Sequence, residues 1–374
     1  MTVSETHLIQ KDNSNMTENT STIRSPDSID QRSDSETLLE VSDLRTHIHT
    51  DRGTIHAVDG VSFTVERGET VCLVGESGSG KSVTCESLTG IVPQPPAEIV
   101  DGSITFDGTS LLDGDESLRR RIRGNRIAHI FQNPQQALDP VYTVGDQIVE
   151  AITIHEDIGK DAARERAMEL LTQVGIPRAG ERIDDYPHEF SGGMRQRVAI
   201  AIALAADPDL LIADEPTTAV DVTVQARLIE LLKELTDGGM SLLFITHDLR
   251  VVASLADRVL VMFGGTIVER GPTEQLFSNP AHPYTQALFE SYDGLSRRDD
   301  RSARADMVTN GCRFRAECPH AVDACAGSEQ PDFYSIGGRN SHTASCVHYG
   351  PDGDPEPIAT KARDARPIAG DCDD

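Results

Sequence analysis

The chain has 374 residues, enough for two or three domains, and 61 Asp and Glu against 34 Lys and Arg leave a formal net charge of −27. A field of that sign repels nucleic acid. No apolar run approaches the ~18–20 residues needed to cross a bilayer; the longest, Val198 to Ala206, stops at Asp207.

Hydrophobic residues make up 38% of the chain, below the usual share yet sufficient for a core. Only five basic residues are lysines (Lys11, Lys81, Lys160, Lys233 and Lys361), and the rest are arginines. In 1 M salt the Debye length falls to about 3 Å, so a surface this acidic is tolerable there, and a halophilic protein is expected. The opening MTVSETHLIQKDNSN has no basic stretch followed by an apolar one, so no secretory leader and a cytoplasmic location are expected.

Residues 1–37 are rich in Ser, Thr, Asn and Asp and are expected to form a disordered acidic tail. From 38 to 280 strand-like and helix-like segments alternate, as in an α/β domain. The first strong motif follows the apolar strand Val71–Val74: Gly75-Glu76-Ser77-Gly78-Ser79-Gly80-Lys81-Ser82, which fits G-x-x-x-x-G-K-[ST] and runs into a helix-like segment. The glycines let successive N–H groups turn inward around phosphate oxygens at a helix N-terminus. Lys81 can reach the terminal phosphates, and the Ser82 hydroxyl can ligate Mg²⁺.

Gln132 follows the strand-like RIAHI in a loop, where it is a candidate ligand sensor. Ser191-Gly192-Gly193-Met194 opens a second helix with free N–H groups, a second anion site that a dimer with shared sites would explain. Leu210–Ala213 is an apolar strand ending in Asp214 and Glu215. A carboxylate there is costly unless it meets a cation, so Asp214 is assigned to Mg²⁺ and Glu215 to the attacking water. His247 ends another apolar run.

Residues 281–350 carry Cys312, Cys318, Cys325 and Cys346 at spacing C-x5-C-x6-C-x20-C and are expected to form a separate appendage. The spacing lacks the C-x2-C pairs of structural zinc, and disulfides are rare in the cytosol. A 4Fe–4S cluster, a zinc ion aided by His320, His342 or His348, and reduced metal-free thiols all stay open. Residues 351–374 are Pro-, Asp- and Gly-rich and are expected to be disordered. Cys72 and Cys85 are expected in the core.

In this order the motifs resemble those of the ATP-binding subunit of an ABC transporter. Gly75–Ser82 matches the Walker A motif, Gln132 the Q-loop, Ser191–Gln196 the signature, Leu210–Glu215 Walker B, Ala219–Asp221 the D-loop and His247 the switch histidine. The resemblance implies an α/β P-loop core with an antiparallel β-subdomain and a helical subdomain inserted at about 133–205. It further implies ATP held with Mg²⁺ by Ser82, Gln132 and Asp214, with Glu215, His247 and Gln132 serving catalysis. In that arrangement Ser191, Gly192, Gly193 and Met194 reach across to the ATP of a second subunit, and Asp221 lies in the D-loop. Met194 stands where the family usually has Gln. The family's adenine-stacking aromatic is missing between Val41 and Val61, which leaves His47, His49 or His56 for that contact.

The segment Asn279–Leu288 and the cysteine-bearing stretch after it are similar to the C-terminal extension of oligopeptide and dipeptide importers, some of which hold a 4Fe–4S cluster there. The implied partners are two membrane permease subunits, a solute-binding protein and a second ATPase, on the cytoplasmic face of the membrane, with no nucleic acid. Residues 139–152 are expected either to dock on the permease or to be ordinary core. Nickel or another small solute as cargo, and a soluble ABC ATPase acting on ribosomes or DNA, are the alternatives.

Overall fold

The computed structural model describes residues 36–132, 137–217, 222–292 and 308–359. Five apolar runs form a parallel sheet because each can be buried on both faces. In β3 (Thr70–Val74) every residue is buried, and it pairs in parallel with β8 (Ser241–Thr246) on one side and β9 (Arg258–Phe263) on the other. Outward from β8 follow β7 (Leu210–Asp214) and β6 (Ile127–Ile130), both parallel.

Alternation along these strands sorts the core into two layers. Val71, Leu73, Leu210, Ile212, Leu243 and Ile245 face one cluster. That cluster is completed by α1 (Lys81–Thr89) and an antiparallel sheet, in which β1 (Thr37–Thr50) lies between β2 (Gly53–Glu66) and β4 (Ala97–Phe106), with β5 (Thr109–Ser110) at the edge. Cys72, Val74, Leu211, Ala213, Leu242 and Phe244 face the other cluster, built by helices. Between β6 and β7 in the chain these are α3 (Val144–His155), α4 (Lys160–Gln173), the single turn α5 (Ala179–Arg182) and α6 (Gly192–Ala203), whereas α2 (Glu116–Ile122), before β6, packs Ile122 into the first cluster. Then come α7 (Val222–Asp237) and α8 (Leu249–Leu255).

The C-terminal part departs from the expectation of a separate appendage. β10 (Thr266–Pro272) pairs antiparallel with β9, and β12 (Arg339–Ser345) pairs with β10 and with β11 (Phe333–Ile336), so the extension lengthens the central sheet to eight strands. Glu269 of β10 is fully buried. Its carboxylate accepts the N–H groups of Ala281 and His282 at 2.8 Å each and shares a 2.7 Å hydrogen bond with the His342 ring. A side chain at residue 271 would strike that ring, which is why glycine stands there. Two helices, α9 (Thr273–Ser278) and α10 (Pro283–Tyr292), follow β10 in the chain. Within the stretch expected to be disordered from residue 351, Ile358 is fully buried, and its carbonyl accepts a hydrogen bond from Gln286. Residues 1–35 and 360–374 lie outside the described residues, and β1 begins at Thr37, one residue inside the expected tail.

Candidate functional site

The end of β3 delivers the chain into the loop 75–80, which closes onto the first turn of α1. Gly75 (φ 156°) and Gly80 (φ 105°) are required by space as well as by conformation, because a side chain at either would overlap a backbone carbonyl, that of Met262 or of Ala57. Ser77 and Gly78 are exposed at the rim, and Ser79 is buried beneath them. The Lys81 ammonium, itself buried, donates to the Gly75 and Glu76 carbonyls at 2.8 Å. Burial lowers its pKa, opposed by the nearby charges of Glu215, Asp214 and Glu76. The loop thus wraps around the Lys81 ammonium at the first turn of α1.

β7 brings two carboxylates to the same end of the sheet. Burial raises the Asp214 carboxyl above its ordinary value, against a hydrogen bond from Ser82 that lowers it, and Asp214 Oδ1 is buried without a hydrogen-bond partner. A buried carboxylate oxygen left in that state beside a hydroxyl suits a hard divalent cation. Glu215 sits at φ 45°, in the left-handed region that non-glycine residues rarely adopt. This turn swings its side chain towards two polar groups from other loops. Gln132 Nε2 donates to Glu215 Oε2 at 3.4 Å, and His247 Nδ1 lies 3.5 Å from Glu215 Oε1. Three residues separated by up to 115 positions in the sequence are therefore within reach of one another.

Ser191 caps α6, its hydroxyl accepting the Met194 N–H at 3.3 Å. Gly193 is pressed so closely against Val224 that an added Cβ would come within 3.0 Å of its side chain. The Met194 side chain packs towards the helical core and accepts a weak contact from Arg182 at 3.7 Å. It therefore fills space, a role that does not demand the amide of the usual glutamine. Asp221 lies outside the described residues.

Of the three histidines proposed for the base, His49 is engaged with Thr54 and Glu98. His47 and His56 face each other with centroids 4.1 Å apart at 33°. Asp59 beside them is held by Arg45 at 2.6 Å and by Arg313. His47, His56 and Asp59 form the one group of three His, Cys, Asp or Glu donors within 4.8 Å among the described residues. The two guanidiniums on Asp59 already balance its charge.

Cys312, Cys325 and Cys346 are buried and Cys318 is partly so. Burial pushes the Cys312 thiol up to about 11 and the Cys346 thiol to about 12, and the other three cysteines each add to the latter shift. The four are thus electrical neighbours, yet no three of the sulfurs approach within 4.8 Å. A single tetrahedral zinc would need about 3.8 Å. Two of the three histidine substitutes weighed for zinc are otherwise occupied: His342 is bound to Glu269, and both ring nitrogens of His348 meet carbonyls. Cys72 and Cys85 are fully packed core residues.

An apolar groove of about 360 Å³ opens beside Gln132, lined by Phe131, Leu138, Ile154, His155 and Ile202 among others. The segment 139–152 splits between two roles. Val144, Ile148 and Ile152 are core, while Val141 (69% exposed) and Tyr142 (55%) point outward.

Contacts with no obvious sequence signal surround the site. Tyr284 of α10 accepts the Glu76 N–H at 3.0 Å, and Tyr292 of the same helix donates to Asp248, next to His247, at 2.7 Å. A tyrosine in a polar segment is unremarkable by itself, and its partners lie 208 and 44 residues away.

The family described as ABC transporter matches residues 58–218, and the one described as the oligopeptide/dipeptide transporter C-terminal region matches residues 268–325. The oligopeptide transport ATP-binding protein AppD of Bacillus subtilis is 46% identical over 325 residues, 85% of this chain and 98% of its own. The dipeptide transport ATP-binding protein DppD of the same organism is 46% identical over 298 residues, 78% of this chain and 89% of its own. Among solved structures, a dimeric ATP-binding cassette in a post-hydrolysis state with ADP and Pi superposes with a TM-score of 0.58 at 26% identity, covering 63% of this chain and 99% of that one.

Proposed function

The chain belongs to the ATP-binding proteins of oligopeptide and dipeptide ABC transporters, and from that premise we propose that it binds and hydrolyses ATP to drive peptide import through a membrane complex. The observation that carries the catalytic part is the meeting of Glu215 with Gln132 and His247 beside the loop 75–82.

In this reading the amides of the loop and Lys81 hold the phosphates, and the Lys81 ammonium exchanges its two carbonyl partners for phosphate oxygens. Ser82, Asp214 and Gln132 would hold Mg²⁺, which neutralises phosphate charge when bound. Glu215 Oε accepts the proton of the attacking water, Gln132 orients that carboxylate, and His247 hydrogen-bonds the terminal phosphate. The base rests on His47 and His56. Ser191 to Met194 complete the site of a second subunit, with Asp221 between the two. That subunit, two permeases and a solute-binding protein make up the complex, and the chain works at the cytoplasmic face of the membrane. The groove beside Gln132 receives an apolar permease segment. Among the described residues no helix is long and apolar enough to cross a membrane itself.

The four cysteines suit a 4Fe–4S cluster of structural role better than zinc, because a cubane holds its thiolates farther apart than a single ion does. Iron and sulfide near four each per chain after anaerobic purification support this, and stoichiometric zinc overturns it. The acidic surface marks a protein that works in molar salt.

The test is uptake of a labelled peptide by vesicles carrying the assembled complex. Glu215→Gln is expected to lower ATP turnover by roughly 10²–10⁴-fold and to stop uptake while ATP still binds. Unchanged turnover removes Glu215 from the mechanism. Uptake of nickel without peptide names the other cargo, and recovery of the chain with ribosomes or DNA, and no permease, overturns the importer.

A further inference from the structure

The extension does more than lengthen the sheet. Helix α10 places two tyrosines eight residues apart, so both stand on one side of the helix, separated by about two turns. The Tyr284 hydroxyl accepts the amide of Glu76 in the phosphate loop at 3.0 Å. The Tyr292 hydroxyl donates at 2.7 Å to Asp248, the neighbour of His247. Both loops of the nucleotide site are therefore tied to the same short rod.

Each tie has its own backing. Tyr284 is completely buried, with its ring against Phe263 (centroids 4.5 Å apart) and Phe314 (5.5 Å). Phe314 lies two residues from Cys312, and the intervening Arg313 binds Asp59 of β2, beside His56. One tripeptide of the extension thus reaches the phosphate side of the site through Tyr284 and the hairpin of the two histidines through Arg313. At the other end of α10, Asp248 also accepts the Arg250 N–H at 3.0 Å and the Gln225 amide at 3.2 Å, and its own N–H goes to Thr246 Oγ1 at 3.0 Å. The loop carrying His247 is thereby fixed except for the imidazole itself, which is 67% exposed.

We propose that Tyr284 and Tyr292 are positioning residues of the ATPase, through which the C-terminal extension sets nucleotide affinity at one loop and turnover at the other. With its amide given to Tyr284, Glu76 does not face the phosphates, and the loop's remaining amides are held in the curvature that does. A loop that must find this curvature for itself binds more weakly, because ordering it costs entropy on binding. His247, by contrast, acts once ATP is bound, so a looser Asp248 slows the reaction without weakening binding. The inference rests on the proposed ATP site.

The experiment uses the full-length chain in its membrane complex at high salt, with Tyr284→Phe and Tyr292→Phe, which keep the rings and remove one oxygen each. MgATP binding, KM, kcat and hydrogen exchange at the Glu76 amide are measured. Tyr284→Phe is expected to weaken MgATP binding and raise KM about 2- to 10-fold with kcat nearly unchanged, the scale of one lost hydrogen bond. Its Glu76 amide should exchange faster by a similar factor. Tyr292→Phe is expected to lower kcat by the same order with binding unchanged. A merely structural role would lower both parameters together, or neither, and either result overturns the proposal when thermal unfolding is native. Should a variant fail to fold, the unaltered chain decides: a Glu76 amide exchanging at free-peptide rates overturns the proposal. If the unaltered complex does not bind MgATP, the ATP site falls and this inference with it. Normal binding together with an unmoved KM in Tyr284→Phe removes the inference alone.

Discussion

Glu215 shows how a single residue can be poor for local conformation and right for the site. Its φ of 45° costs about 1–3 kcal/mol relative to an ordinary region, and in return the carboxylate meets Gln132 and His247. The residue types were legible from the sequence at this scale: a buried strand ending in Asp-Glu, a glycine-rich loop ending in Lys-Ser, a histidine at a strand tip. Their mutual approach was not, because it depends on which strands lie next to which. Two buried histidines contribute to the pH dependence. His129, hydrogen-bonded to Thr89, is lowered by burial to about 4, and His282 to about 3. With folded values below the ordinary 6.5, the unfolded chain binds more protons, so stability is full above about pH 6.5 and declines as the pH falls. Unfolding by denaturant between pH 7 and 4.5 should show that decline. His282→Gln should flatten it if its backbone partner, the Tyr284 N–H, is kept, and an unchanged slope would remove His282 as a cause.

At the scale of elements, the parallel strands announced themselves as short apolar runs, whereas the inserted helices were an expectation that only the family resemblance carried. The extension did not announce itself. β12 is RNSHTAS, with no clean alternation, and it pairs with β10 at only two registers, Glu269 with Ala344 and Arg270 with Thr343. Its hold comes instead from the buried Glu269–His342 contact, whose members lie 73 residues apart. The cysteine spacing drew attention to the right stretch but suggested independence from the core. A different element-scale consequence concerns α3. Its inward residues Val144, Ile148 and Ile152 serve the core, whereas Ile154, 67% exposed, lines the groove beside Gln132. Ile154→Glu should leave folding and MgATP binding intact while cutting co-purification of the permeases and peptide uptake at least about tenfold, as loss of a central apolar anchor does. Undiminished co-purification would move the docking surface elsewhere.

Over the whole molecule the dominant fact is charge. Arg126 binds both Asp107 and Asp209 at 2.7 Å, and Arg258 binds Glu69 at 2.7 Å, but 34 cations cannot neutralise 61 anions. The excess repels itself, and screening weakens that repulsion as salt rises. Far-ultraviolet circular dichroism and ATP turnover should therefore both improve between 0.1 M and 2 M KCl. A fold and activity as complete at 0.1 M would show that pairing alone contains the charge.

The braces from α10 also impose an order in time. A chain emerging from the ribosome exposes its phosphate loop long before Tyr284, which follows Glu76 by 208 residues, and Glu269 of β10 waits 73 residues for His342. Nascent chains thus pass through a long interval in which the nucleotide loop is unanchored and one sheet edge is bare. ATP binding by a nascent chain should therefore tighten only once Tyr284 has emerged and docked on the loop.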